Sequence, residues 1–353
     1  MTATPTARVP QEAPEAQEEQ EEQEEQEDRE AQKAQEAARS GRWGVARTVL
    51  RLHRAALIVW GLAVLGLAGW LVWLTEITAD EARAKQEACD RAAQDWCDMT
   101  VGILGYSAPM DGIATLTAHS FLAVAAFAGG ALIGRELENG TARLAWSQGI
   151  TPARWLTAKL AVPALAVTLG VTVLVLVFRR AWTADQDLIG TGWMYESVFV
   201  ALGPAAVGYA LCALALGTLT ALLTRRALPA LAVSVALNWV PALVLTHFRT
   251  SLWPARTVTS ATEEVYGPDN AWQVEQGALV HGSPAPQVNH WSCDGTAEEL
   301  RRCLDDLGVT GYYATYHPES HFWPLQLVET GILLAVAATA VAVSFGLLRR
   351  RTA

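Results

Sequence analysis

"RELENGTARLAWSQGITPARWLTAK", Arg135 to Lys159, lies between two long apolar stretches and decides how the chain is organised. It is charged and interrupted twice. Asn139-Gly140 can end a helix arriving from the N-terminal side, because glycine tolerates the left-handed conformation that a helix terminus asks for. Thr141 can then cap a new helix over Ala142–Gln148, about 10 Å long, which Gly149 ends. Thr151 caps the next helix, with Pro152 at its first position, where a missing N–H is no loss. The spacing predicts an extension, a short isolated helix, and a second extension. The short helix lies across the end of a bundle and carries Arg143, Leu144, Trp146 and Gln148 outward. Two uses stay open: it rests Leu144 and Trp146 on a bilayer surface, or it docks on a partner.

The flanking stretches set the class. Apolar residues make up 51% of the 353 and come in blocks. Several blocks reach about 20 residues without a charge, the length a bilayer-spanning helix needs. Six spans are predicted, roughly Ala55–Leu74, Ile113–Gly134, Leu160–Phe178, Val198–Leu223, Leu228–Phe248 and Trp323–Leu348. The fold expected over residues 41–353 is therefore an all-α membrane protein with six transmembrane helices, a short cytoplasmic helix and two sizeable outer loops, 75–112 and 249–322.

Charge orients it. The amino-terminal segment and the loops 135–159, 224–227 and 349–353 hold 17 Arg and Lys; the opposite loops hold 9. Basic residues beside span ends mark the cytoplasm, so both termini are expected there, in a bacterial plasma membrane. Arg179 and Arg180 run against this pattern. No signal peptide is apparent, and span one is expected to stay as an uncleaved anchor. The net charge of −10 is mostly local, because residues 1–37 hold 12 acidic and 3 basic side chains. That tail, 1–40, has almost no large apolar residue and is expected to be disordered, either simply solvated or an acidic docking arm. No nucleic-acid partner is expected.

Cysteines agree with the orientation. Cys89 and Cys97 fall in the first outer loop, Cys293 and Cys303 in the second, and Cys212 in span four, which fits an oxidising outer face. One bridge within each loop is favoured. A continuous helix through "ADEARAKQEACDRAAQDWC" would separate Cys89 and Cys97 by about 12 Å of rise, too far for a disulfide, so the helix breaks or the bridges cross between loops. "TAEELRRCLDDLG" reads as a short helix with a Thr296/Glu299 capping box and Gly308 as its stop.

Catalytic chemistry is thin. Lys33, Lys85 and Lys159 are preceded by Gln, Ala and Ala, so no G-x-x-x-x-G-K-[ST] phosphate loop is present. Neither H-E-x-x-H nor G-x-S-x-G occurs. The chain is not expected to be an enzyme or to hold a metal. His317 and His321 read as a surface pair. Trp253, Trp272, Trp291 and Trp323 read as core of a small cap or as belt residues. Polar side chains inside spans are costly in lipid and carry more information. Glu329 is an isolated acid in span six, with Gln326 on the same face; His119, Asn238 and His247 are further candidates. Glu329 either pins helix contacts near the outer leaflet or works in a path or gate, together with Gln326, Asn238 and His119.

"FAGGALIGRELENGTARLAWSQGITPARWLTAKL" resembles the span-two exit of type-2 ATP-binding-cassette exporter permeases of drug-export type from actinobacteria. "GYALCALALGTLTALLTRRALPALAVSVAL" is similar to their span four–five hairpin, and "YHPESHFWPLQLVETGILL" to the start of their span six. The matching positions at the exit are Glu136, Glu138, Gly140, Thr141, Arg154 and Lys159. The resemblance implies that the short helix docks on a separate ATPase subunit. Its outward side chains Arg143, Leu144 and Trp146 would then carry the contact, Arg143 and Trp146 foremost because Arg and Trp dominate interface hot spots, and Glu136 and Glu138 would brace the helix or pair with its basic residues. That partner would bind ATP and magnesium; this chain needs no cofactor. A six-span chain is half such a transporter, which implies a second permease copy, identical or different, set in membrane lipid. The cargo class implied is a small amphipathic molecule or a lipid. A membrane-anchored outer sensor or binding protein without transport activity is the alternative.

Overall fold

The computed structural model describes residues 48–92, 105–288, 292–293 and 295–352. Two compact units divide the chain, Met1–Leu52 and His53–Ala353. Of the first, residues 48–52 are described and are helical; the predicted tail lies outside the described residues, as do Cys97 and Trp291. The second unit carries the bundle. Among the described residues, six helices are long and apolar enough to cross a membrane: Arg54–Ala88, Gly105–Glu138, Pro152–Ala184, Ala205–Thr224, Ala227–Ser251 and Glu319–Arg351. They are the six predicted spans, mostly longer at their ends. Span one shows why. α1 (Arg54–Trp73) runs through a π turn at Leu74–Thr78 into α2 (Ala79–Ala92). The Ala-, Glu- and Arg-rich sequence keeps helix propensity after hydrophobicity ends. Cys89 sits on α2.

Span two comprises α3 (Ala108–Ala126), a π segment at Phe127–Gly134, and α4 (Arg135–Glu138). Next come α5 (Thr141–Ser147) and span three, α6 (Pro152–Ala184). Span four was expected to be continuous from Val198. Instead α7 (Glu196–Ala201) stops at Leu202–Pro204, and α8 (Ala205–Thr224) follows. Pro204 has no N–H to extend the ladder and its ring crowds the preceding turn. Span five is α9 (Ala227–Phe248) and span six α11 (Phe322–Thr352).

Span four is the buried centre, and spans two, three, five and six surround it. Small residues let the backbones approach, which drives helix association in lipid. At Gly129, in the π segment, a Cβ would lie 2.1 Å from Ser234 Oγ and 2.8 Å from the Ala230 carbonyl of α9. Span one leans on span three, where Trp60 Nε1 donates to the Ala166 carbonyl at 3.1 Å.

Between spans five and six the chain builds a sheet that the sequence reading did not foresee. β1 (Arg256–Ser260), β2 (Trp272–Val280), β3 (Ser283–Ala285) and β4 (Val309–His317) pair antiparallel in the order β1-β4-β2-β3. α10 (Ala297–Asp306) precedes β4, with both arms of the Thr296/Glu299 capping box formed. Cys293 and Cys303 are joined, their Cα atoms 6.0 Å apart. Trp272 packs edge-on to Trp193, while Trp253 and Trp323 stay exposed.

His317 and His321 depart from their expected surface position: both are buried. His317 Nε2 donates to the Thr250 carbonyl at 2.9 Å, so its Nδ1 accepts from His321 Nδ1 at 3.0 Å. The pair ties the end of the sheet to the ends of spans five and six.

Candidate functional site

Two polar constellations occupy opposite ends of the bundle. The first surrounds the opening stretch. Gly140 and Gly149 both take left-handed backbone, φ +72° and +90°, where the sequence places the two breaks. Thr151 caps span three, its Oγ1 accepting from Arg154 N at 3.3 Å, with Pro152 in the first turn. Thr141 behaves differently from its expected role. Gly140 is the N-cap of α5, and the Thr141 hydroxyl reaches back to the Glu136 carbonyl at 3.3 Å. The glycine's positive φ places Thr141 one residue inside the helix.

Glu136 holds both arms of this hook together. Its Oε1 takes Lys159 Nζ at 2.5 Å and its Oε2 accepts from Trp155 Nε1 at 3.1 Å. Lys159 is buried, and it also donates to His53 Nε2 at 2.9 Å. An ammonium can only donate, so His53 is neutral and carries its proton on Nδ1. Burial, and then the Lys159 cation, push the His53 pKa from 6.5 down to about 4. Glu138 works elsewhere: its Oε2 accepts from Ala227 N at 2.9 Å and caps the first turn of span five, where a carboxylate also complements the helix dipole. The exits and starts of spans two, three and five are thus clasped by two carboxylates.

The short helix presents itself differently from the sequence expectation. Leu144 is 58% exposed, and Arg143 and Gln148 face solvent. Trp146 turns inward, half-buried and edge-on to Trp155 at 5.7 Å between ring centroids. A ring that size is covered once span three passes beside it. Arg154 has buried Nε and Nη2 atoms without a partner among the described residues; nothing in the structure explains this.

The second constellation lies near the sheet. Glu329 and Arg249 form a fully buried, two-pronged pair, Nε to Oε2 at 2.7 Å and Nη2 to Oε1 at 2.9 Å. Tyr209 Oη donates to the same carboxylate at 2.7 Å, and the guanidinium lies 4.5 Å from the Phe199 ring centre. Gln326, one turn away, repairs the break in span four. It donates to the Phe199 carbonyl at 2.5 Å and accepts from Ala205 N at 3.1 Å. Backbone groups freed inside a membrane protein need such partners. Asn238 is not part of this site; its Nδ2 bonds back to the Ser234 carbonyl. His119 bonds back to the Thr115 carbonyl, stacks on Phe121 and lies tilted against Trp239. His247 lies edge-on to Phe248.

The sequence reading missed Arg249, Tyr209, Phe199 and His53. Arg249 follows the last apolar residue of span five, where the sequence alone reads as the start of the outer loop. The signal that could have found it is Glu329 itself, since a lone acid in a span requires a cation at matching depth.

A bundle of six apolar helices with a clasped hook between spans two and three and a broken, polar-patched fourth span defines a multi-pass membrane transport subunit. The family model described as ABC-2 membrane transporter related matches residues 61–249, and the chain belongs to that family. It is the permease subunit of an ATP-binding-cassette exporter and works with an ATPase partner. No curated protein and no solved structure matches the chain.

Proposed function

We propose that α5 is the element through which the ATPase drives this permease. The observation that carries the reading is the clasp beneath it: Glu136 bonds to Trp155 and Lys159, and Glu138 to the start of span five. A push on the hook cannot move span two without moving spans three and five. Leu144, exposed at the middle of α5, is the centre of the contact, with Gln148 beside it. Trp146 supports the hook from its inner side, against Trp155, and Arg143 stays on its solvent-facing side.

The basic residues beside spans one, four and six favour a cytoplasmic hook, both termini inside the cell membrane, and the loop that carries the sheet and the disulfide outside. A second permease copy completes the transporter. The broken fourth span, its Gln326 patch and the Glu329–Arg249 pair form an outer gate, because irregular backbone at membrane depth lines transport paths. The apolar surroundings suit a small amphipathic cargo or a lipid, moved outward.

Co-purification of the ATPase tests the reading. Leu144→Asp removes an apolar anchor of hot-spot size, about 2 kcal/mol, or roughly 30-fold in affinity. The variant should reach the membrane in normal amount and lose its ATPase; undiminished recovery would return α5 to a helix resting on lipid.

A further inference from the structure

At the hook end of the bundle a cavity of about 250 Å³ opens between α5, the end of span four and the end of span six. Arg143, Arg225 and Arg351 line it, together with Trp146, Leu222 and Leu348, and no acidic residue is among its lining. Arg351 is partly engaged: its Nη1 donates to the Leu222 carbonyl at 2.5 Å and ties span six to span four. Neither Arg143 nor Arg225 has an ion pair among the described residues. Arg225 also sits in left-handed backbone, φ +56°, which favours glycine. The hairpin keeps an arginine where glycine would be relaxed, so it is the side chain that the position uses.

Three guanidiniums beside one cavity repel one another unless an anion lies among them. A phosphate suits them, because its oxygens accept the paired N–H donors of arginine. The leucine walls and the indole of Trp146 add an apolar side, which a free phosphate would leave unmatched but a glycerophospholipid fills. The cavity also lies at span ends, at the depth of a headgroup layer, and basic pockets between spans at that depth suit anionic headgroups. We propose that this cavity binds the phosphate headgroup of an anionic phospholipid. The lipid joins α5, through Arg143, to the ends of spans four and six, through Arg225 and Arg351. It makes the position of the hook depend on membrane composition.

The inference goes beyond ATPase docking and is tested without the ATPase. The full-length permease is purified in mild detergent and incubated with equimolar phosphatidylglycerol and phosphatidylcholine, and retained lipid is read by native mass spectrometry. Phosphatidylglycerol should be retained preferentially. Arg143→Gln/Arg225→Gln should lower that retention about 30-fold, and Arg350→Gln, at an exposed arginine of the same helix end, should leave it unchanged. Equal retention of the two lipids overturns the proposal, as does a double variant that binds like the parent. Stabilisation of the parent by inorganic phosphate alone, with no lipid retained, assigns the cavity to a free anion and also overturns it. Because Arg143 could disturb α5, Arg225→Gln alone is measured as well; full phosphatidylglycerol retention by that variant contradicts the site.

Discussion

Glu329→Gln separates an architectural charge from a working one. The substitution leaves shape and the Tyr209 hydroxyl in place but strips Arg249 of its hydrogen-bonded carboxylate partner. Both side chains are buried, at 2% and 0% exposure, so the guanidinium keeps its charge without water or counter-ion. Removing one member of a buried pair typically destabilises by about 3–5 kcal/mol, a large part of the stability of an ordinary domain. Arg249→Met on its own should cost a similar amount. Glu329→Gln/Arg249→Met should cost far less than the sum, because an apolar replacement of a buried pair is often neutral. The assay is a melting series of the four proteins in one detergent, followed by ATP-driven transport in vesicles. The double variant should melt near the parent and still fail to transport. Glu329→Gln melting with the parent would refute the reasoning about the pair. A double variant that transports normally would remove the pair from the gate.

Three other outcomes follow from the geometry. Gly129→Ala should destabilise by about 1–3 kcal/mol in a melting experiment, because its Cβ would fall 2.1 Å from Ser234 Oγ, and Ser234→Ala should relieve part of the loss; no change would mean that spans two and five are not in contact there. Mass mapping without reduction should recover Cys293 and Cys303 in one linked peptide, and Cys303→Ser should cost about 2–3 kcal/mol for so short a ring; free thiols at both positions would contradict the fold of that loop. His53 is pushed from 6.5 to about 4, so between those values the unfolded chain binds the extra proton. Stability should therefore be complete above pH 6.5, fall as pH drops towards 4, and level off below. His53→Phe should flatten that part of the melting profile; an unchanged slope would place the titration elsewhere.

The spans and the hook were legible because their signals are local. Apolar run length gives each span, and Asn139-Gly140, Gly149 and Thr151-Pro152 are chain terminators whose effect needs no distant partner. The chain's own capping box at Thr296 and Glu299 was readable for the same reason. What escaped depends on tertiary contact. The break at Leu202–Pro204 holds in a membrane because Gln326, more than a hundred residues away, satisfies its backbone. Arg249 looks like loop until Glu329 is set beside it. Trp146 looks outward on a helical wheel, and only the course of span three past Trp155 turns it in. The sheet escaped for a different reason: β1 and β3 are too short for their alternation to stand out, and β4, "VTGYYATYH", is held between β1 and β2, which lie far from it in sequence.

The coupling role of α5 is tested most directly by a photo-crosslinking residue at position 144 in the full-length chain, in membranes that also contain the ATPase, with position 259 on β1 as control. A crosslink from position 144 to a subunit carrying a phosphate-loop ATPase motif, sensitive to ATP and absent from position 259, is the predicted result. Crosslinking from position 144 to lipid alone, with the ATPase present and active, would contradict it.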